Sequence, residues 1–336
     1  MSRPAIAPIL AGLAVSAFAC TTTDLPFGDV NSIIVAADPD LWAEVGDTVS
    51  VALQPTITTT AVAEEVFQVT HRNPSDSLWG DFRRFRQLLL VGQREDPWIA
   101  TALAKTEDPG GAPAIARATD VWARGQTATI VVVPDQNAGE ALVSLLPELR
   151  EQYLEWYRGW AYGQMFVTGR DTALADTLRA TAGFELTVPN VYTWERRDSV
   201  FIFRNDNPDP SELIRQFTLT WMSPPPDTLT TSDLVAWRGT LAREHYDPVQ
   251  VTDTSLVSQA TLTIDGYETR RLQAVWKNPP EADWPAAGSF IIQTVHCPQQ
   301  NRLYLTDAWL YAPGRDKFEY LYQLETILNS FRCGEA

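Results

Sequence analysis

The sequence predicts an α+β protein in two similar-looking halves, each a mainly antiparallel sheet covered by helices. Short apolar runs bounded by Pro, Gly and Asx residues recur along the chain, as strands require. Two long segments instead repeat Leu and aromatic residues at helical spacing. Those two segments also begin alike. With 45% hydrophobic residues, 12 Trp, 10 Tyr and 13 Phe, the chain has ample material for a folded core.

The first stretch belongs to export. Residues 1–19 carry one charged side chain, Arg3, followed by an apolar run from Ala5 to Phe18. This is expected to be a signal peptide, too short to span a bilayer. Its end, "LAVSAFAC", can be read in two ways: Ala17 and Ala19 form an A-x-A cleavage site, while Cys20 invites lipidation. Cysteine parity favours the lipid. Of Cys20, Cys297 and Cys333, acylation of the first leaves a pair for an oxidising compartment. Residues 20–30 then read as a tether, and the expected location is the cell envelope, facing the periplasm. Thr21, in place of the Asp that retains some lipoproteins at the inner membrane, points to the outer one.

Taken in order, "NSIIVAA" reads as a strand, and Pro39 opens a short helix through Leu41, Trp42 and Val45. "FRRFRQLLLVG" ends in a strand, "KTEDPGGAPA" is a loop, and "ATDVWARGQTATIVVVP" holds two strands around "ARGQ". Leu142, Leu145, Leu146, Leu149, Tyr153, Trp156 and Trp160 mark the clearest helix, with Pro147 as an expected kink. "GRDTALADTLRATAG" places Leu174, Leu178 and Ala182 on another. The first half is set at 31–182 and the second at 183–336; with no long Pro/Ser/Gly stretch between them, the halves are expected to pack together.

In the second half "FELTVP" and "SVFIFRN" are strands, and "TTSDLVAWRGTLAREHY" is a helix expected to be capped by Ser232 or Asp233. Four strands follow, "SQATLTI", "ETRRLQAVWK", "GSFIIQTVHC" and "RLYLTDAWLYAP", with "DG" and "PQQN" as hairpin turns. The last helix carries Phe318, Leu321, Leu324, Leu328 and Phe331 on one face. Shifted by 179 residues, Pro134, Asn137, Glu140 and Leu142 superpose on Pro313, Asp316, Glu319 and Leu321. Each helix would then start with an Asx cap and a Glu in capping-box position. Because strand, hairpin partner and covering helix run back and forth over one core, a Cys297–Cys333 disulfide is expected, the alternative being two buried thiols that never meet.

Several of these stretches together resemble the domain-of-unknown-function 4837 family of bacterial lipoproteins: "SIIVAADPDLW", "FRRFRQLLLVG", "ATDVWARGQTATIVVVP", "FELTVP", "AVWK" and "DAWLYAPGRDKFEYLYQLETILNSF". The resemblance spans nearly all of the mature chain. It implies a lipid-anchored envelope protein and supplies no activity.

No catalytic constellation is legible. The histidines are His71, His245 and His296, with no G-x-S-x-G elbow near them. His296 adjoins Cys297, but neighbours on a strand face opposite ways. Metal spacings and phosphate-cradling glycine loops are missing too, and the Asx cluster Asn205 to Pro210 lacks the Gly and Glu of a calcium loop. No cofactor and no metal is therefore expected. The net charge of −16 excludes a phosphate backbone as partner, so no nucleic acid is expected, and membrane attachment must come from acyl chains.

Two features could mark a ligand surface. Arg83, Arg84 and Arg86 cluster in an acidic protein and would suit an anion, or would neutralise nearby carboxylates. Tyr157 lies on the flank of the long helical stripe, where it would be exposed for stacking. The chain thus reads as a non-enzymatic binding or scaffolding module with an envelope protein or glycan partner. The alternative is a hydrolase of envelope glycans or peptides whose carboxylates only the fold brings together.

Overall fold

The computed structural model describes residues 24–58, 63–206, 212–282 and 285–334. The leader, Cys20 and most of the Asx cluster lie outside them. In chain order the elements begin β1 (Ser32–Ala36), α1 (Pro39–Leu53), β2 (Thr56–Thr58), β3 (Ala63–Glu65), β4 (Gln68–Arg72), α2 (Trp79–Phe82), β5 (Gln87–Gly92), α3 (Pro97–Leu103), β6 (Ala114–Thr119), β7 (Thr127–Val132) and α4 (Ala138–Met165). They continue with α5 (Thr172–Ala182), β8 (Phe184–Glu185), β9 (Thr193–Arg197), β10 (Val200–Asn205), β11 (Ile214–Met222) and α6 (Thr231–His245). The last are β12 (Val251–Ile264), β13 (Tyr267–Lys277), β14 (Ala287–Cys297), β15 (Arg302–Tyr311), α7 (Phe318–Asn329) and β16 (Arg332–Cys333). The fold class is α+β.

Contacts divide the chain into two units. Among the described residues, the first comprises 24–29, 34–38 and 71–133; the second comprises those of 30–33, 39–70 and 134–334. The boundary expected at 182/183 falls inside the second unit, because α4 packs against α1 and α7, and α5 against β8.

The N-terminal sheet has the order β4-β1-β5-β7-β6. It departs from the expected antiparallel pattern: β5 and β7 run parallel, while β6 pairs with β7 antiparallel. The chain between Gly92 and Thr127 is long enough for the crossover that parallel pairing needs, and α3 lies on it. Both strands are buried on both faces, which is why they read as unbroken apolar runs. Ile34, Leu88, Leu90 and Ile130 form the core of the first unit with Ile99 and Ala102 of α3.

The second unit is built on a seven-stranded, wholly antiparallel sheet of order β12-β13-β14-β15-β11-β10-β9. Strict alternation sends successive residues to opposite faces. On one face Ile291, Val295, Tyr304 and Ala308 pack against Leu324, Ile327 and Leu328 of α7 and Leu174 and Leu178 of α5. On the other, Leu272, Phe290, Ile292 and Trp309 pack against Leu234 and Leu241 of α6. The "DG" turn has both residues at positive φ, Asp265 at 53° and Gly266 at 82°, as a two-residue hairpin requires.

Three local expectations are corrected. The cap of α6 is Thr230, not Ser232 or Asp233; Asp233 stands three residues in and completes a capping box with it. The start of neither α4 nor α7 is a side-chain-capped box: Asn137 is left-handed at φ 58°, and Lys317 occupies the cap of α7. The α7 entry is held instead by Asn31 donating to Asp316 (2.9 Å), by the Lys317 backbone N–H donating to Glu64 (3.1 Å), and by the Lys317–Glu64 ion pair. The "FELTVP" strand is only two residues long, since its sole partner is the equally short β16.

Candidate functional site

A groove of about 560 Å³ opens on the α7 face of the large sheet, within the second unit. Its floor is one pleat side of three strands. Ser258, Gln273 and Ile291 stand in register across β12, β13 and β14, as do Val275 and Ser289 one pair along. Phe318, Leu321, Tyr322 and Glu325 form one wall at i, i+3, i+4, i+7 spacing on α7. That stripe lies beside the fully buried one of Leu324, Ile327 and Leu328, so α7 has two apolar faces and leaves one of them half-buried.

The outer rim is a register shift in β12 between Asp253 and Ser258. Asp253 accepts from the Ser255 backbone (3.0 Å) and hydroxyl (2.6 Å) and pairs with Lys277 (3.2 Å). The Ser255 bonds first, then Lys277, pull its carboxyl down to about 2. The bulge they fix sets Leu256 and Val257 along the groove.

One end of the groove is polar. Gln273 donates to Glu325 (2.8 Å), and Arg271, bonded to Gln293 and Asn329, lies 3.6 Å from the same carboxylate. Burial lowers the Arg271 guanidinium pKa. Arg158 of α4 also lines the groove, exposed and in no ion pair among the described residues. Glu325 is the one carboxylate in the lining. The site therefore offers an apolar bed with serine, tyrosine and arginine donors at its edge.

None of the described residues proposed from sequence as a ligand surface lines this groove, although Phe318 and Leu321, read as part of the last helix's apolar face, do. Tyr157 is corrected: it is 2% exposed, with its ring 5.1 Å from Phe318, 5.7 Å from Phe67 and 5.8 Å from Trp160. Residues distant in sequence cover the flank of α4 that its own periodicity leaves open. Burial, then Glu319 and Asp316, push its hydroxyl pKa upward. Of the arginine cluster, Arg84 pairs with Asp24 at 2.8 Å. Arg83 is exposed and Arg86 half-buried, and Gln126 anchors their turn by donating to the carbonyls of Arg83 (2.7 Å) and Phe85 (2.6 Å). Cys297 and Cys333 are joined, their Cα atoms 5.9 Å apart, while His296 points to solvent on the opposite side of its strand. Among the described residues no cluster of three potential metal ligands occurs, and no helix is long and apolar enough to cross a membrane.

The residue that sequence reasoning missed is Arg238. It sits in the α6 stripe between Leu234 and Leu241, fully buried, with Nε 3.0 Å from the equally buried Asp307. A charge interrupting an apolar stripe was the available signal.

Residues 171–330 match the family described as domain of unknown function 4837. Residues 27–158 match a different one, domain of unknown function 8532, so the stretches "SIIVAADPDLW", "FRRFRQLLLVG" and "ATDVWARGQTATIVVVP" fall under a separate description. No curated protein matches the chain. Among solved structures, the Saccharomyces cerevisiae Ran-binding protein Mog1p is similar over 46% of this chain and 91% of its own, at 9% identity and a TM-score of 0.29. LpqN of Mycobacterium tuberculosis, involved in cell envelope biogenesis, is similar over 45% and 83%, at 14% identity and a TM-score of 0.29. At these scores the likenesses carry no functional argument.

Proposed function

We propose that this protein is a non-enzymatic, lipid-anchored binding module of the cell envelope, and that the α7 groove holds a small molecule with an apolar body and a hydrogen-bonding head. The groove itself carries the reading. Its volume is in the range of small-molecule sites, and its lining combines an apolar majority with a few convergent polar groups. The alternative, a hydrolase, needs two facing carboxylates; here Glu325 alone lines the groove and is already engaged by Gln273 and Arg271.

A long-chain fatty acid bearing a fluorescent reporter tests the site. Saturable enhancement is expected, weakened at least about tenfold by Ser258→Trp, which fills the groove from an exposed strand position. A non-saturating signal, or equal binding by a folded Ser258→Trp variant, would overturn it.

Anchoring is proposed through acylated Cys20, supported by the leader and by the pairing of the other two cysteines with each other. Thr21 favours the outer membrane. Cys20→Ser should move the protein from the membrane to the soluble fraction, and intact mass should show an acylated N-terminal cysteine. An unmodified mature form in the soluble fraction of the parent strain would sink the claim.

A further inference from the structure

On the α6 face of the same sheet, where β9, β10 and β11 meet the C-terminal end of α6, lies a second recess of about 440 Å³. Two polar atoms are buried in its lining without a hydrogen-bond partner among the described residues: Gln216 Nε2 and His245 Nδ1. Gln216 is 3% exposed, and the His245 side chain 15%. A buried polar atom left unpaired is costly, and here both such atoms lie in the lining of one recess, where a bound group can meet them.

The surrounding charge decides what can meet it. Arg197 is paired with Glu195 at 2.7 Å and Arg204 with Asp206 at 3.1 Å, while Glu244 and Asp247 flank His245. The lining thus sets two guanidiniums against three carboxylates, with Asp206 paired to Arg204 beside it, a field that repels an anion. A cation would find the carboxylates but could not accept from Gln216 Nε2. A hydroxyl group does both: it accepts from the amide, accepts from or donates to either tautomer of His245, and donates to the carboxylates at the rim. Trp194, 41% exposed, gives the lining an apolar surface for a ring. From this combination we infer that the recess is a saccharide site, taking a neutral sugar whose hydroxyls pair with Gln216 and His245. It is distinct from the α7 groove, and neither assignment depends on the other.

The test uses the mature chain, titrated by saturation-transfer difference NMR with maltotriose, cellotriose and chitotriose, and with trigalacturonic acid as the anionic arm. At least one neutral trisaccharide should saturate, with trigalacturonic acid at least about tenfold weaker. Gln216→Leu removes the donor and should weaken binding at least about tenfold. Because a buried change can disturb folding, Thr193→Trp, which fills the recess from the exposed edge strand, should abolish binding by a second route. Ser258→Trp should leave it unchanged. No binding of any neutral trisaccharide up to about 10 mM, which would leave water alone to meet the buried donors, overturns the inference. So does equal binding of the anionic arm, or undiminished binding by folded Gln216→Leu or Thr193→Trp.

Discussion

Replacing Asp307 by Ala is expected to cost about 3–5 kcal/mol of folding stability, the largest effect of any single change considered for this chain. Asp307 on β15 and Arg238 on α6 are both fully inaccessible, and they bind through Nε and Oδ1 at 3.0 Å. Gln250 accepts from the same guanidinium at 2.6 Å, which also lies 3.8 Å above the Phe290 ring. Tyr246 donates to the second carboxylate oxygen at 2.6 Å and also contacts the Thr218 hydroxyl at 3.2 Å. Burial raises the Asp307 carboxyl above its ordinary value, with the guanidinium and the Tyr246 hydroxyl pulling the other way. Tyr246, pushed well above its usual pKa by burial and by the carboxylate, keeps its proton to donate.

Removing the carboxylate strands a guanidinium in a site closed to water, and that uncompensated charge is the source of the loss. The same logic makes the pair replaceable. Arg238→Met with Asp307→Leu is expected to recover most of the stability, because an apolar pair needs no desolvation. Denaturant unfolding at neutral pH, extrapolated to water, measures both. A loss below about 1 kcal/mol for Asp307→Ala would show that the cluster is energetically idle.

Breaking the disulfide is expected to cost a similar amount, about 4 kcal/mol in the chain-entropy view, for a bridge between cysteines 36 residues apart. Cys297 closes β14, and Cys333 follows α7 in β16, where it pairs with Phe184 of β8. The bridge therefore ties the end of α7 to the sheet that α7 covers, beside the stacked rings of Phe184 and Phe331. The loop it closes contains β15 and all of α7, and so one wall of the groove. Cys297→Ala with Cys333→Ala should lower the unfolding midpoint accordingly. Thiol counting on the denatured, non-reduced chain checks the bond itself: any free thiol besides Cys20 contradicts it.

Much of the architecture was legible because its signals are local. Period-2 runs located β10 and β12 through β15 but not β11, and the 3.6-residue spacing located α4, α5, α6 and α7, since each pattern records which side chains share a face. The Asp265-Gly266 turn needed only its two residues to be read. Where pattern and partner are separate questions, local signals ran out. The cap was expected at Ser232 or Asp233, whereas Thr230 holds it, because Thr, Ser and Asp all suit the position and only the backbone turn decides. The repeat between the starts of α4 and α7 did not extend to their caps, since long-range bonds from Asn31 and Glu64 hold the second.

The sequence by itself determined most of the long elements, their order and the stock of chemistry: few histidines, scattered glycines, abundant aromatics and a strong acidic balance. Only the tertiary structure decided which faces meet. It buried Tyr157 beneath Phe67 and Phe318, enclosed Arg238 with Asp307, and left the second apolar face of α7 open above β12, β13 and β14. The physical reason is that periodicity fixes a side chain's direction relative to its own helix or strand. Whether that direction ends in solvent, in a core or in a groove depends on elements far away in sequence, and no local pattern encodes their arrival.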